Sequence, residues 1–232
     1  MHGGEFNLIQ EIFRTFTLVK IVAAVGFVLA VSLVAERVSP RFAGIVSGYP
    51  MGAALALFFI GLEIGPRFAA ESSVHTTLGL IATQMFSLGY YLASRAVRSI
   101  ALPAGIVLSA AAAAAGYFAV TCLLAYLSPS AAVAVILALL SIAGFNHLFR
   151  SIENTRIASG KKLDFRLLCA RAVFSATVIV LVTATAHLVG PRWAGLFSAF
   201  PLTIFPLLVI IHWCYRLEDV HAIIKNVPRG LI

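Results

Sequence analysis

Apolar residues along this chain run in long unbroken blocks, instead of recurring every three or four positions as they do in a soluble amphipathic helix. A helix needs about 20 apolar residues to cross the hydrocarbon core of a bilayer. The blocks lack the alternation of a transmembrane β-barrel, so the pattern predicts an all-α integral membrane protein. We expect about seven transmembrane helices, at residues 16–36, 41–64, 75–96, 101–127, 131–149, 167–189 and 192–215. The polar stretch 150–166 is predicted to be a solvated loop.

Composition and charge support a membrane setting. The chain is 61% hydrophobic and 11% charged, whereas a soluble domain is about 25% charged. When the predicted loops are assigned alternately to two sides, the 17 Lys and Arg residues divide into four on the N-terminal side and thirteen on the other. By the positive-inside rule the N-terminus is outside and the C-terminus is inside. The net charge of +8 therefore reflects topology and contact with anionic lipid, and nucleic acid is not expected as a partner.

One eleven-residue phrase occurs twice. PRFAGIVSGYP spans residues 40–50 and PRWAGLFSAFP spans residues 191–201, with six identical positions at an offset of 151 residues. The offset extends beyond the phrase without a gap, because Lys20 corresponds to Arg171 and GLI at 79–81 corresponds to GLI at 230–232. The sequence therefore predicts two repeat units, 1–151 with five transmembrane helices and 152–232 with two and the start of a third.

An odd number of helices in the first unit makes the second unit enter the membrane from the opposite side. This predicts an inverted-topology repeat, the architecture of many secondary transporters. The second unit is incomplete, since the counterpart of the third helix would begin near Pro228. We favour a truncated chain as the explanation, and a family with a cropped repeat is the alternative.

The repeated phrase predicts a substrate site. A proline ten residues into a helix removes a backbone hydrogen bond and bends or breaks the helix, and broken helices at membrane depth are tolerated where they line a cavity. Two symmetry-related breaks are expected to meet near the bilayer midplane, with hydroxyls and aromatic faces beside them. The predicted substrate-binding residues are Ser47, Tyr49, Pro50, Ser198, Phe200 and Pro201. For each feature taken singly, an ordinary kink or packing contact is the competing interpretation.

Other polar residues in apolar surroundings are candidate polar or proton sites, because ionisable groups at membrane depth are often functional. They are Glu63, Gln84, Asn146 and His147. Glu63 has an alternative as an interfacial charge paired with Arg67, and His147 has one as an interfacial residue near Arg150. For Lys20 and Arg171 the favoured interpretation is snorkelling to the head groups, with contact to an anion left open.

Cysteine usage and motifs give no sign of a cofactor or metal. Cys122, Cys169 and Cys214 are odd in number and lack a CxxC spacing, so they are interpreted as small buried side chains. No Gly-rich phosphate loop, HExxH or GxSxG occurs. We therefore predict no cofactor, no metal and no catalytic residue.

The segment AGLFSAFPLTIFPLLVIIHW, residues 194–213, resembles the A-G-L-x-x-x-F-P segment of GlpM-like bacterial inner-membrane proteins. The resemblance covers the two repeat segments, about a third of the chain. It implies a multi-pass protein of the bacterial cytoplasmic membrane, and it assigns no substrate. In such a membrane the N-terminus, placed outside by the charge distribution, is periplasmic.

The inverted repeat favours a transporter that moves a small organic solute by alternating access at the paired breaks. The alternatives are a non-catalytic accessory or assembly subunit and, less favoured, a lipid-modifying membrane enzyme. The expected partners are the lipid bilayer and an unidentified small solute, with a homodimer as a further candidate assembly.

Overall fold

The computed structural model describes residues 17–26, 30, 40–155 and 165–231, and these residues contain helices and no strand. The predicted first helix and the predicted loop 150–166 therefore lie partly outside the described residues. In chain order the helices are α1 (Thr17–Gly26), α2 (Pro40–Gly48), α3 (Met51–Glu63), α4 (Pro66–Ala96), α5 (Leu102–Leu124), α6 (Ala131–Leu148), α7 (Phe165–Ser198), α8 (Ile204–Cys214) and α9 (Leu217–Gly230), with a short 3₁₀ turn at Phe149–Ser151.

Four segments are long and apolar enough to cross a membrane: Gly44–Glu63, Leu102–Leu124, Ala131–Ser151 and Cys169–Ser198. Helices α1 and α8 are apolar but shorter. The structure thus supports an all-helical chain with several apolar helices, as a membrane protein requires. Of the seven predicted spans, the third falls within α4, which is a single helix of 31 residues beginning at Pro66.

Helix α4 lies at the centre of the described structure and packs against α3, α5, α6, α7 and α9. Its buried residues include an unusual number of polar side chains for a helix in an apolar protein: Ser72, Thr76, Thr83, Gln84, Ser87 and Ser94. Because these side chains face neighbouring helices, their hydroxyl and amide groups can be satisfied inside the protein. This polarity explains why α4, despite its length, is not one of the four segments apolar enough to cross a membrane.

Helices α5 and α6 present apolar side chains outward. Only 28% of the apolar stretch in α5 and 22% of that in α6 is buried. Large exposed residues such as Val107, Leu123, Ile136 and Leu140 lie on these faces. An apolar surface of this extent is what a lipid-facing helix requires.

The predicted helix breaks at the two prolines are present. Helix α2 ends at Gly48 and α3 begins at Met51, with Pro50 between them. Helix α7 ends at Ser198 and α8 begins at Ile204, with Pro201 in the gap. A further kink within α7 lies at Gly190, where φ is +79°, a left-handed value that glycine adopts without strain. The boundary predicted at 189–192 is therefore a kink, and the predicted span 192–215 is divided in two.

Glycines allow two pairs of helices to approach closely. A Cβ atom added at Gly44 on α2 would lie 2.5 Å from the carbonyl oxygen of Ile223 on α9. A Cβ added at Gly195 on α7 would collide with the carbonyl oxygen of Ser72 on α4. Backbone contact this close is possible only where one residue has no side chain. The two close approaches join α2 to α9 and α7 to α4.

Candidate functional site

A small cleft lies between the two proline breaks. Its walls include Ser47, Tyr49 and Pro50 from the first break and Phe200 and Pro201 from the second. Five of the six predicted site residues thus share one cleft. The sixth, Ser198, does not line it.

The cleft is narrow. Its volume is about 20 Å³, and a cavity must offer roughly 10–15 Å³ to hold one water molecule. The described conformation therefore has room for about one water between the breaks. A small organic solute would require the two broken helices to move apart.

Hydroxyl groups from the second break itself and from helices α4 and α5 bind the carbonyl groups near the breaks. Thr203 donates to the carbonyl oxygen of Ser47 at 2.6 Å, and Thr83 donates to that of Ala199 at 2.7 Å. Tyr117 donates from its phenol to Leu196 at 2.6 Å. These three carbonyls are satisfied within the protein, as buried polar groups must be where water is excluded.

The two breaks are not equivalent. The Tyr49 side chain is 55% exposed. Its counterpart Phe200 lies among aromatic rings, 5.1 Å from Tyr117 and 6.1 Å from both Phe86 and Phe205, measured between centroids. The first break therefore opens outward, whereas the second is packed into an aromatic cluster.

The two serines of the repeated phrase also differ. Both are buried. The Ser198 hydroxyl donates to the carbonyl oxygen of Ala194 at 2.7 Å within its own helix. The Ser47 hydroxyl oxygen has no hydrogen-bond partner among the described residues. A buried hydroxyl without a partner is costly, so Ser47 keeps a hydrogen-bonding capacity that Ser198 uses within its own helix.

Glu63 forms an ion pair at the end of α3. Its carboxylate lies 2.6 Å from the ammonium group of Lys20, which also donates to Thr183 at 2.7 Å. Arg67 pairs instead with Glu71 at 3.4 Å, so the suggested Glu63–Arg67 pair does not form. The Lys20 side chain is 5% exposed. Snorkelling of Lys20 was therefore the wrong interpretation, because an acceptor on α3 and another on α7 hold the ammonium group inside.

The counterpart residue Arg171 is likewise buried, at 1% exposure, so the snorkelling prediction is wrong there too. Gln84 is fully buried, and its amide nitrogen donates to the Ser141 hydroxyl at 2.7 Å, which joins α4 to α6. Asn146 is half-buried and His147 is exposed. Neither lies in the cleft between the breaks.

A second polar cluster surrounds the C-terminal end of α4, and sequence reasoning missed it. The Tyr90 hydroxyl lies 3.0 Å from His212 Nδ1 on α8. The Ser94 hydroxyl lies 3.0 Å from His221 Nε2 on α9. Burial first, and then the charge of Arg95, lower the pKa of the His221 imidazole to about 4. His221 is therefore neutral at pH 7.

A cleft of about 220 Å³ lies beside this cluster, lined in part by Ser94, Arg98 and His212. It is much larger than the cleft between the prolines. A signal for it was present in the sequence, because Tyr90 and Ser94 are four residues apart and so share one face of a helix. The histidines that they contact lie more than 100 residues away, which no local pattern reveals.

The exposure of the cysteines differs from the prediction. Cys122 and Cys169 are exposed, so their interpretation as buried side chains is wrong: they lie on outward faces of apolar helices. Within the described ranges, no three His, Cys, Asp or Glu side chains are grouped as metal ligands.

Comparison with protein-family models, with curated proteins and with solved structures finds no match to this chain. The resemblance to GlpM-like proteins therefore remains a prediction from the two repeat segments. Any conclusion on function depends on the geometry above.

Proposed function

We propose that the protein is a multi-pass transporter of the bacterial cytoplasmic membrane that moves a small, neutral or weakly polar organic solute. In this proposal seven helices span the bilayer, and units 1–151 and 152–232 form an inverted repeat. The solute passes between the proline breaks. The observation that carries the proposal is the meeting of both breaks in one cleft.

Contacts between the two units support a two-fold relation. When residues i and j of one unit correspond to i+151 and j+151 of the other, a two-fold axis requires that i touches j+151 and that j touches i+151. The close contacts at glycines obey this rule. The corresponding pairs are Gly44–Ile223 with Gly195–Ser72, Gly44–Asn226 with Gly195–His75, and Gly230–Ile45 with Gly79–Leu196.

Helix boundaries also repeat at the offset. Helix α3 ends at Glu63, and α8 ends 151 residues later, at Cys214. Helix α4 begins at Pro66, and α9 begins 151 residues later, at Leu217. Matching ends arise when two segments share one local fold. Together with the exchanged contacts, they favour the inverted repeat over two unrelated copies of a short phrase.

The narrow cleft fits a closed state of such a transporter. Alternating access proceeds when one unit rocks against the other around a fixed site. The exposed Tyr49 and the packed Phe200 give the two breaks different surroundings. In the proposed cycle, α2–α3 and the α7–α8 break separate, and the unpaired Ser47 hydroxyl meets the solute.

An accessory or assembly subunit remains the second candidate, and one observation favours it. The space between the breaks is about 20 Å³, so the packing is that of a structural core. A subunit of this kind would need tight helix contacts and outward apolar faces, and α5 and α6 supply such faces.

A test of the site uses the full chain in proteoliposomes. A panel of neutral polar solutes is first screened for uptake and for a ligand-dependent rise in melting temperature. Ser47→Ala combined with Ser198→Ala should then reduce uptake and the ligand-induced shift of any solute found, while the melting temperature without ligand changes little. Ser109→Ala is the matched control, because Ser109 is also buried and donates to a carbonyl of its own helix, at Gly105.

Three results are informative. A solute whose uptake falls in the double variant and not in Ser109→Ala supports the transporter. A solute transported equally well by all three proteins would place the path elsewhere. If no solute is taken up or stabilises the protein, the accessory subunit is favoured.

The predicted topology can be tested at exposed positions of the loops that flank α5. In a variant without native cysteines, Tyr126→Cys should react with a membrane-impermeant maleimide on intact spheroplasts, because this side is predicted to be periplasmic. Ser99→Cys should react only after the membrane is opened. The reverse labelling pattern would contradict the proposed orientation.

A further inference from the structure

The 220 Å³ cleft at the C-terminal end of α4 is separate from the proline breaks, and the proposed transport does not use it. Four elements meet there: the end of α4, the start of α5, the end of α8 and the start of α9. Its volume is several times the roughly 30 Å³ that one water molecule occupies in the liquid. It can therefore hold a polyatomic group.

Guanidinium groups lie in the wall of this cleft and near it. Arg98 lines it and donates to the Glu218 carboxylate at 3.1 Å, and Arg216 contacts the same carboxylate at 3.4 Å. Arg95 lies 5.4 Å from the centre of the Tyr91 ring. Arg98 lies in the wall of the cleft, and Arg95 and Arg216 lie near its partners, with the Glu218 carboxylate beside Arg98 and Arg216. The pKa of His221 leaves that residue neutral. A net positive environment favours an anion.

The Arg98 side chain is available to a ligand. It is 72% exposed, and the Glu218 side chain is 41% exposed. An exposed ion pair of this kind contributes little to stability, so an incoming anion can replace the carboxylate at small cost. A guanidinium group carries five N–H donors in a planar fork that fits two oxygens of one phosphate group. The His212 ring adds a polar group to the wall, whereas the Ser94 hydroxyl already bonds the Tyr91 carbonyl and the His221 ring.

Apolar residues flank the same opening. Ile100 and Leu102 line the cleft and are 45% and 47% exposed. Leu102 is also the first residue of α5, one of the segments apolar enough to cross a membrane. The cleft therefore lies at the end of an apolar helix, where the head groups of a bilayer would be found. Basic pockets between helices at this level bind anionic head groups.

We propose that this cleft is a binding site for a phosphate-bearing anion, held by Arg98 and by the His212 ring in its wall, and that Glu218 pairs with Arg98 when the anion is absent. The anion has two sources with the same chemistry, the head group of an anionic phospholipid and free inorganic phosphate. Glu218 then acts as an internal competitor, and its removal should strengthen binding.

The test measures binding of two probes to the full chain in a non-ionic detergent. The probes are phosphatidylglycerol, followed by native mass spectrometry, and inorganic phosphate, followed by calorimetry. Arg98→Gln should weaken binding of the effective probe roughly fivefold, which corresponds to about 1 kcal/mol per basic residue. Glu218→Gln should strengthen binding. Arg67→Gln is the matched control, because Arg67 also forms an exposed ion pair on α4, with Glu71.

Opposite effects of Arg98→Gln and Glu218→Gln support the site, since a variant that merely damages the fold cannot bind more tightly. Binding of phosphatidylglycerol alone identifies the lipid as the source, and binding of both probes identifies the phosphate group itself. The proposal is overturned if neither probe binds, if Arg98→Gln weakens binding no more than Arg67→Gln does, or if Glu218→Gln weakens it.

Discussion

Loss of the Glu63 carboxylate should destabilise the protein, because it leaves a buried ammonium group without its counter-ion. Lys20 Nζ lies 2.6 Å from Glu63 Oε1 and 2.7 Å from the Thr183 hydroxyl, and the Lys20 side chain is 5% exposed. In Glu63→Gln the Thr183 hydroxyl and a neutral glutamine amide remain near the Lys20 ammonium group. In Lys20→Met the opposite occurs, and a carboxylate that is 24% exposed is left with partial access to water.

The exposure values set the expected magnitudes. Removal of one partner from a fully buried ion pair costs about 3–5 kcal/mol. Because Glu63 is partly exposed, we expect Glu63→Gln to lower the free energy of unfolding by about 2–3 kcal/mol. We expect Lys20→Met to cost about 1 kcal/mol, since the remaining carboxylate can turn toward water. The double variant should cost less than the sum by about 1–2 kcal/mol.

The assay is a double-mutant cycle on equilibrium unfolding in mixed micelles. The pair formed by Arg67 and Glu71 is the control cycle, with side chains that are 95% and 54% exposed. An exposed pair at this spacing on a helix couples by about 0.5 kcal/mol or less. If the coupling between Lys20 and Glu63 is no larger than that of the control pair, the explanation based on burial is refuted.

Two further predictions concern packing and pH. Gly195→Ala should lower the free energy of unfolding by about 1–3 kcal/mol, because the added Cβ would collide with the Ser72 carbonyl. Gly144→Ala is the control and should not destabilise the protein, since nothing lies within 4 Å of its added Cβ. Equal effects of the two variants in chemical unfolding would contradict the close approach at Gly195. The pKa of His221 is lowered to about 4 by burial and by Arg95, so between pH 6.5 and 4 the unfolded chain binds more protons and stability falls as pH falls. We expect a loss of about 1–2 kcal/mol from pH 7 to pH 5 that is reduced in His221→Gln, and an unchanged pH profile in that variant would count against it.

The proline breaks were predictable because their chemistry is local. A proline inside an apolar block removes a hydrogen bond whatever surrounds it, so the breaks at Pro50 and Pro201 follow from the repeated phrase. Their meeting in one cleft was predicted from the offset between the copies. The difference between Tyr49 and Phe200 was predictable only as one hydroxyl, because the aromatic rings around Phe200 come from distant parts of the chain.

The sequence predicted a helix at 75–96 but not the central position of α4, because an apolar block does not indicate which helices pack around it. Small and polar residues recur on one face of this helix at positions 72, 76, 79, 83, 87, 90 and 94, the three-to-four spacing of an α-helix. Thr76 donates to the carbonyl of Gly195 and Thr83 to that of Ala199, so this face binds the second break. The spacing is visible in the sequence. The acceptors of the Thr76 and Thr83 hydroxyls lie 119 and 116 residues away, and no local pattern indicates them.

The polar face of α4 has a consequence for how the chain enters a membrane. Serine, threonine and glutamine side chains make the insertion of an isolated helix less favourable, since moving their polar groups from water into lipid costs free energy. On this basis α4 is a poor candidate to leave the translocon alone, whereas the apolar α5 that follows it and packs along it inserts readily. We therefore expect the α4–α5 hairpin to partition as one unit. The carbonyls at the second break are synthesised about 100 residues after α4. Until then the hydroxyls of α4 that bind them lack these acceptors.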